Sequence, residues 1–272
     1  MKRLVFIFAF LLCCSAIQVQ ARGIMTMCGA GVPVSALTGN CQNATTGESG
    51  TTYKLCEDFE GATSCAANYT SNCRVTWTIG RDQADPKLIN FQSAGIGIGG
   101  SYAVFFDASD GGGTDGPYIY YDTASATDEQ HVFYRMAFSG TDPGGARSIT
   151  EIKSGSTFRA GFYINSSEKL YTQCGGNAAT QTSAILASGT TYNVWAGYIT
   201  GDTSTCYVCF TGTGTTTRPD YTSDTTNCSY TSSGTNTGTS NRVSMPVGFH
   251  SNPDLKYDHI RVKASEMTGV PD

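Results

Sequence analysis

The sequence predicts an all-β protein, an antiparallel sandwich or barrel, and three observations carry that prediction. Short runs rich in β-branched and aromatic residues recur at 74–79, 102–107, 117–122, 131–139, 148–153, 158–165, 168–173, 191–200, 205–211, 243–249 and 257–263, bounded by Gly, Asn, Asp, Pro or Ser. That is the pattern of strands joined by tight connections. No stretch shows an apolar stripe at helical spacing. The stretches Glu57-Asp58-Phe59-Glu60-Gly61 and Tyr257-Asp258-His259-Ile260-Arg261-Val262 both read as strands, one from each end of a single domain. Many short strands with close connections bury their apolar faces against one another as a sandwich or a closed sheet.

In chain order, Lys2 and Arg3 come first, then an apolar run from Leu4 to Ile17 and the small-residue pattern Val19-Gln20-Ala21. Residues 1–21 therefore read as a secretory signal peptide cleaved after Ala21, too short in its apolar part for a membrane span. No second long apolar segment follows. The expectation is an exported chain, secreted, periplasmic or on the cell surface, with no membrane insertion. Residues 22–52 hold Gly, Pro and Thr without strand periodicity and read as an N-terminal extension packed on one domain spanning 53–272. Charged residues make up 14% of the chain and the formal net charge is −5. Nucleic acids and anionic membranes require clustered Lys and Arg, so both are disfavoured as partners.

With the leader removed, Cys28, Cys41, Cys56, Cys65, Cys73, Cys174, Cys206, Cys209 and Cys228 remain, an odd number. Cys28 with Cys41 and Cys65 with Cys73 would each close a short polar loop, the kind of staple exported domains use. The pairing of the others stays open. Cys206-Tyr207-Val208-Cys209 has the spacing of a zinc or redox motif, but on a strand residues three apart point to opposite faces. A structural disulfide role is expected there instead. Three histidines in the whole chain, with no closely spaced pair, give no transition-metal site.

Residues 212–241 are almost entirely Thr, Ser, Gly, Asn and Asp, and read as a long surface loop tethered by Cys228. Asn43, Asn68, Asn165 and Asn227 each begin an Asn-x-Ser/Thr acceptor triplet, common by chance in a chain this rich in Ser and Thr. Gly95-Ile96-Gly97-Ile98-Gly99-Gly100 matches a dinucleotide fingerprint but precedes a strand, so it reads as a turn. The acidic stretch 107–116 suits a flexible connection.

Asp58-Phe59-Glu60-Gly61, Gly100-Ser101-Tyr102-Ala103-Val104-Phe105-Phe106, the hairpin from Thr157 through Tyr171, Tyr192-Asn193-Val194-Trp195 and Asp258-His259-Ile260-Arg261-Val262 together resemble the concanavalin A-like lectin and glucanase superfamily, over residues 53 to 265. The resemblance implies an antiparallel jelly-roll β-sandwich whose first and last strands lie side by side, with a glycan site on one sheet face. It also implies a structural calcium held by residues that correspond to Glu60, Gly100 and Asp258, whose hard oxygen ligands suit that ion.

Retaining glucanases of this fold carry two carboxylates on alternate residues of one strand, flanking the scissile bond. This chain lacks that spacing. Glu57-Asp58-Phe59-Glu60 has the wrong interval, and Glu151 stands alone with Ile149 and Lys153 expected on its face. Phe158-Arg159-Ala160-Gly161-Phe162-Tyr163-Ile164-Asn165 is similar to the tyrosine-bearing strand of alginate-lyase jelly rolls, which implies a proton-transferring role for Tyr163, with His131 and Arg135 of the right types to assist. The partner strands of that family are missing.

Strand parity puts His131 and Arg135 on one side of their strand, Arg159 and Tyr163 on the polar side of theirs, and Lys169, Tyr171 and Gln173 together on the next. With Trp195 as a stacking surface, His131, Arg135, Arg159, Tyr163, Tyr171, Gln173 and Trp195 form the expected glycan-binding set. The sequence therefore points to a lectin-like protein whose partner is a polysaccharide or glycan, with the structural calcium that the resemblance implies as its cofactor. A polysaccharide lyase or divergent glycan hydrolase is the first alternative, and an adhesive surface protein the second.

Overall fold

The computed structural model describes residues 53–61, 63–66, 69, 71–82, 88–96, 102–107, 116–139, 146–246 and 254–271. The expected signal peptide 1–21, the expected 22–52 extension with its Cys28–Cys41 pair, Gly100 and most of the acidic 107–116 stretch lie outside them. The strands are β1 (Leu55–Glu57), β2 (Thr63–Ser64), β3 (Ser71–Cys73), β4 (Thr78–Arg81), β5 (Ile89–Ala94), β6 (Tyr102–Phe106), β7 (Tyr118–Thr127), β8 (Glu129–Ser139) and β9 (Arg147–Ser154). They continue with β10 (Thr157–Ile164), β11 (Leu170–Cys174), β12 (Asn177–Ala178), β13 (Thr191–Ile199), β14 (Ser204–Gly212), β15 (Cys228–Gly234), β16 (Ser240–Met245) and β17 (Asp254–Lys263).

Two antiparallel sheets result. The larger runs β15-β14-β13-β8-β17-β6-β5 with β1 added on β17, the smaller runs β12-β11-β10-β9-β16-β7-β4, and β2 and β3 pair separately. This is the jelly-roll sandwich the sequence predicts. Its first and last strands are neighbours as expected, with Leu55 opposite Val262 and Glu57 opposite Ile260.

Alternation along the strands builds the core. β8 sends Val132, Tyr134, Met136 and Phe138 inward, β13 sends Val194, Ala196 and Tyr198, and from the facing sheet come Phe162, Ile164 and Leu170. Each large apolar side chain buried this way contributes about 1.5–3 kcal/mol. Cys174 of β11 and Cys206 of β14 join this core as a disulfide linking the two sheets. Cys209, on the opposite face of β14, bonds Cys228 of β15. The Cys-x-x-Cys stretch is thus divided between two structural bridges, as its parity requires. Cys65–Cys73 forms as predicted, and Cys56 is disulfide-bonded as well.

Three segments differ from the sequence reading. The predicted 212–241 loop contains β15, and its last residues begin β16. A strand so poor in apolar groups forms because its backbone pairs with β14 from Cys228 opposite Cys209 to Gly234 opposite Ser204. The first strand stops at Glu57, where Phe59 takes a positive φ of 57°. The predicted strand 74–79 begins only at Thr78.

Glu57 accounts for the last two differences. Its buried carboxylate accepts N–H bonds from Asp58 (3.0 Å), Phe59 (2.7 Å), Arg74 (3.1 Å) and Val75 (3.2 Å) and from the Trp77 indole (3.2 Å). Backbone donors that would otherwise join a ladder are turned onto one side chain. Beside it, Asp58 takes a two-pronged bond from Arg74 at 2.6 and 2.7 Å.

These two acids give stability an opposed pH dependence. Burial pushes the Glu57 carboxyl from 4.5 up to about 7, with its N–H donors pulling against the rise. The native state then holds a proton that the unfolded chain has released, so this contribution is complete below pH 4.5 and is lost as pH rises through about 7. Burial also opposes ionisation of Asp58, but the Arg74 bonds and charge prevail and hold it below its usual 3.8. Its contribution is present above that value and disappears as pH falls through the lowered one. Melting temperature should therefore peak in mildly acidic buffer, and Glu57→Gln should flatten the decline on the neutral side while leaving the acid arm. Thermal melts across pH check both arms.

Candidate functional site

The two outer faces of the sandwich have different fates. On the larger sheet, the segment from Thr215 to Asn227 and the C-terminal stretch after Lys263 lie over β13 and β14. Thr217 bridges to Gly269, Arg218 N donates to Thr268 O (2.9 Å) and Val270 N to Thr216 O (2.7 Å). Beneath them a second apolar cluster forms from Tyr53, Phe133, Trp195, Tyr207, Cys209 and Met267. Tyr221 stacks on Tyr207 with ring centroids 4.2 Å apart and planes 3° from parallel. Arg218 sits against both rings and pairs with Glu266.

His131, Arg135 and Trp195, three of the residues expected to hold a glycan, belong to this covered face. His131 and Trp195 are fully buried and Arg135 nearly so. The Trp195 indole donates to Gly269 O (3.1 Å). Arg135 Nε donates to Asn193 Oδ1 (3.2 Å), and Asn193 in turn donates to Thr215 O (2.9 Å). His131 lies 2.8 Å from the Tyr207 hydroxyl and 3.2 Å from Glu129. Burial depresses its basicity, against the opposing pull of Glu129. These side chains hold a second core together. A site combining Tyr163 with His131 and Arg135 is not formed, because the strands carrying them face away from each other across the sandwich.

On the outer face of the smaller sheet Tyr120, Tyr163, Tyr171 and Gln173 are half-exposed, and cross-strand register shows what else it displays. Directly paired residues of an antiparallel ladder point to the same face. One row runs Gln173, Gly161, Glu151, Ser244, Tyr120, Thr78, each the partner of the next. A second holds Tyr171, Tyr163 and Ser148, and a third Lys153, Arg242 and Asp122. Tyr163 and Tyr171 stack with centroids 5.0 Å apart and planes 16° from parallel. Lys153 Nζ approaches Glu151 Oε2 at 2.6 Å. Arg242 grips Asp122 with two bonds of 2.6 and 2.7 Å and lies 3.9 Å over the Tyr120 ring.

Tyr163, Tyr171 and Gln173 are thus brought together as the sequence predicts. Arg159 is not among them. A bulge at Phe158/Ala160 turns it aside, and its guanidinium clasps the 235–239 turn through Thr237 O (2.6 Å), Asn236 Oδ1 (3.2 Å) and Thr239 O (3.2 Å). A second bulge, between Phe162 and Tyr163 on the pairing with β9, sends Ile149 into the core instead of beside Glu151. Glu151, Tyr120 and Arg242 also belong to this face, outside the expected glycan-binding set. Their membership depends on which strands become neighbours, and only the alternation of Glu151 with Lys153 hints at it in the sequence.

Electrostatics on this face favour protonated tyrosine. Burial raises the Tyr163 phenol, and the nearby Glu151 carboxylate and Tyr171 raise it further. Burial likewise lifts Glu151, moderated by Lys153. Tyr163 therefore presents a phenol that can donate a hydrogen bond. A β-carbon added at Gly161 would meet the Tyr163 hydroxyl at 2.4 Å, so the ring lies across a position that only glycine leaves free.

Of the residues expected to hold calcium, Asp258 lies on β17 of the larger sheet, Glu60 follows β1, and Gly100 lies outside the described residues. Glu60 accepts the Tyr102 N–H at 2.5 Å. Asp258 is fully buried, its Oδ1 accepting the His259 N–H at 2.7 Å. Its Oδ2 has no hydrogen-bond partner among the described residues.

Gly161→Ala should push the Tyr163 ring off the strand and break its stacking on Tyr171 while changing stability by about 1 kcal/mol or less, since the far end of one side chain yields. Loss of the ring-current shifts of the two tyrosines by NMR, with a near-native melt, is the expected result.

No protein-family model and no curated protein matches this chain. Solved structures do. An endo-β-1,4-glucuronan lyase from the fungus Trichoderma reesei is 11% identical with a TM-score of 0.49, covering 78% of this chain and 96% of that one. A PL-14 alginate lyase from Aplysia kurodai is 10% identical with a TM-score of 0.44, covering 62% and 83%. The botulinum neurotoxin type G receptor-binding domain is 6% identical with a TM-score of 0.50, covering 80% of this chain and 49% of that one. At such identities the likeness is one of fold, that of an antiparallel jelly-roll β-sandwich.

Proposed function

We propose that this chain is an exported, lectin-like module that binds a polysaccharide on the open face of the smaller sheet. The observation that carries the proposal is the stacked Tyr163–Tyr171 pair, set by register beside Gln173, Gly161 and the Glu151–Lys153 ion pair. Aromatic faces take the apolar side of a pyranose ring, and flanking amide, carboxylate and ammonium groups bond its hydroxyls. Neighbouring strands lie about 4.8 Å apart, so a row of residues across the sheet presents a contact at intervals close to the length of one sugar unit. The disulfides agree with export, and the leader ending at Ala21 supplies its route.

A glycan array incubated with the protein tests this. Retention on at least one polysaccharide is expected, with Tyr163→Ala and Tyr171→Ala each weakening it about tenfold, or about 1.4 kcal/mol. No retention of any sugar overturns the proposal.

A lyase reading draws on the protonated phenol of Tyr163 beside Glu151. In an elimination next to a uronate carboxylate, the Glu151 carboxylate would take the proton from the carbon bearing that carboxylate, the double bond would form as the carbon–oxygen bond breaks, and Tyr163 would deliver its proton to the leaving oxygen. New double-bond absorbance on incubation with uronate polysaccharides, lost in Tyr163→Phe, would establish that reading, and its absence would leave binding alone.

Calcium belongs to the same proposal as a structural ion. A buried carboxylate with one oxygen unpartnered among the described residues suits a hard cation, with Glu60 and Gly100 as further oxygen donors. Added calcium should raise the melting temperature, and Asp258→Asn should abolish that rise, because an ion bound only by the folded state stabilises it. A calcium-independent melt removes the ion from the proposal.

A further inference from the structure

The hairpin between β10 and β11 turns on Asn165-Ser166-Ser167-Glu168, and the geometry points to Asn165 as a site of N-linked glycosylation. The triplet Asn165-Ser166-Ser167 has the acceptor pattern. Ser166 and Ser167 are exposed at the hairpin tip and Asn165 is half-exposed. The side-chain oxygen of Asn165 is doubly engaged, accepting the N–H of Ser167 at 2.9 Å and of Lys169 at 3.0 Å. The backbone closes the same turn, with Asn165 N donating to Lys169 O (3.0 Å) and Glu168 N to Asn165 O (2.9 Å). Those bonds fix the carboxamide by its oxygen. The nitrogen, which would carry the sugar, makes no hydrogen bond among the described residues.

Asn227 provides the contrast within the same molecule. Its side-chain nitrogen donates to Asp224 Oδ2 at 3.0 Å, its backbone N–H bonds Asp224 Oδ1 at 3.0 Å, and the residue between Asn and Ser is Cys228, bonded to Cys209. A glycan there would displace the Asp224 bond beside a disulfide. At Asn165 it costs no hydrogen bond of the fold. Asn43 and Asn68 lie outside the described residues.

The transfer balances with a lipid diphosphate-linked oligosaccharide as donor. A bond forms between the Asn165 amide nitrogen and the anomeric carbon, the bond from that carbon to the phosphate oxygen breaks, the lipid diphosphate leaves, and one amide proton passes to a base of the transferase. Oxidation state does not change. The inference rests on export through a secretory route that holds such a donor, not on any glycan bound by the smaller sheet.

The test is secretion of the full chain, leader included, from cultured eukaryotic cells, followed by peptide mass mapping before and after treatment with a peptide N-glycosidase. The Asn165 peptide is expected to carry a glycan and to be converted to the aspartate form by the enzyme, while the Asn227 peptide is recovered unmodified. Ser167→Ala should abolish the modification and Ser167→Thr should retain it. Recovery of the secreted wild-type Asn165 peptide without a glycan overturns the inference, and that readout stands even where a variant fails to be secreted. Because the readout is mass, a failed sugar-binding experiment and a failed glycosylation experiment are distinguishable.

Discussion

The period of two along a β-strand governs which residues of this protein can meet. β8 sends Tyr134 and Met136 into the space between the sheets, and His131, Phe133 and Arg135 the other way. β10 does the same with Phe162 and Tyr163, but from the opposite sheet. Two outward faces therefore point in opposite directions, and no rotation of a side chain can combine them. The inner faces have one solution, mutual burial. The outer faces differ: the chain covers one with its own 215–227 segment and C-terminal stretch, while on the other Tyr163 and Tyr171 stay half-exposed.

That covering separates an aromatic platform from a second core. Taken by residue type, Trp195, Tyr207 and His131 would serve a sugar as well as Tyr163 and Tyr171 would. What distinguishes them is the carbonyl of Gly269 on the Trp195 indole and the ring of Tyr221 on Tyr207. Half-exposed tyrosines flanked by an ion pair retain capacity for a ligand, whereas fully buried ones have already spent their polar tips within the fold.

Much of the architecture is legible in the sequence because its signals are local. Alternation within Val132–Phe138 and within Phe158–Asn165 gives strands, and the two end stretches give the β1–β17 pair. The parity argument also correctly divides Cys206 from Cys209 and groups Tyr163, Tyr171 and Gln173. What it misses is set by longer-range choices. Strands close in sequence, β8 and β10, enter different sheets, so His131 and Tyr163 part company. Bulges shift phase by one residue, which removes Arg159 from the face and sends Ile149 inward. β15 looks like a loop because its side chains are polar, yet its backbone bonds to β14 hold it as a strand. Glu57 looks like a strand residue, and the cluster of N–H donors it gathers becomes visible only once Arg74, Val75 and Trp77 are folded against it.

β14 is bound on both faces, through Cys206 to the opposite sheet and through Cys209 to the adjoining strand. During oxidation of the newly made chain, the nearest thiol to each of these cysteines along the sequence is the other, and in a flexible segment proximity would favour joining them. Once β14 pairs with β13, with Trp195 opposite Cys209 and Tyr198 opposite Cys206, the pleat holds the two sulfurs on opposite sides of the sheet and that short-circuit is blocked. In the paired sheet, then, each cysteine of the Cys-x-x-Cys stretch meets a different partner, Cys174 between the sheets and Cys228 on the outer side.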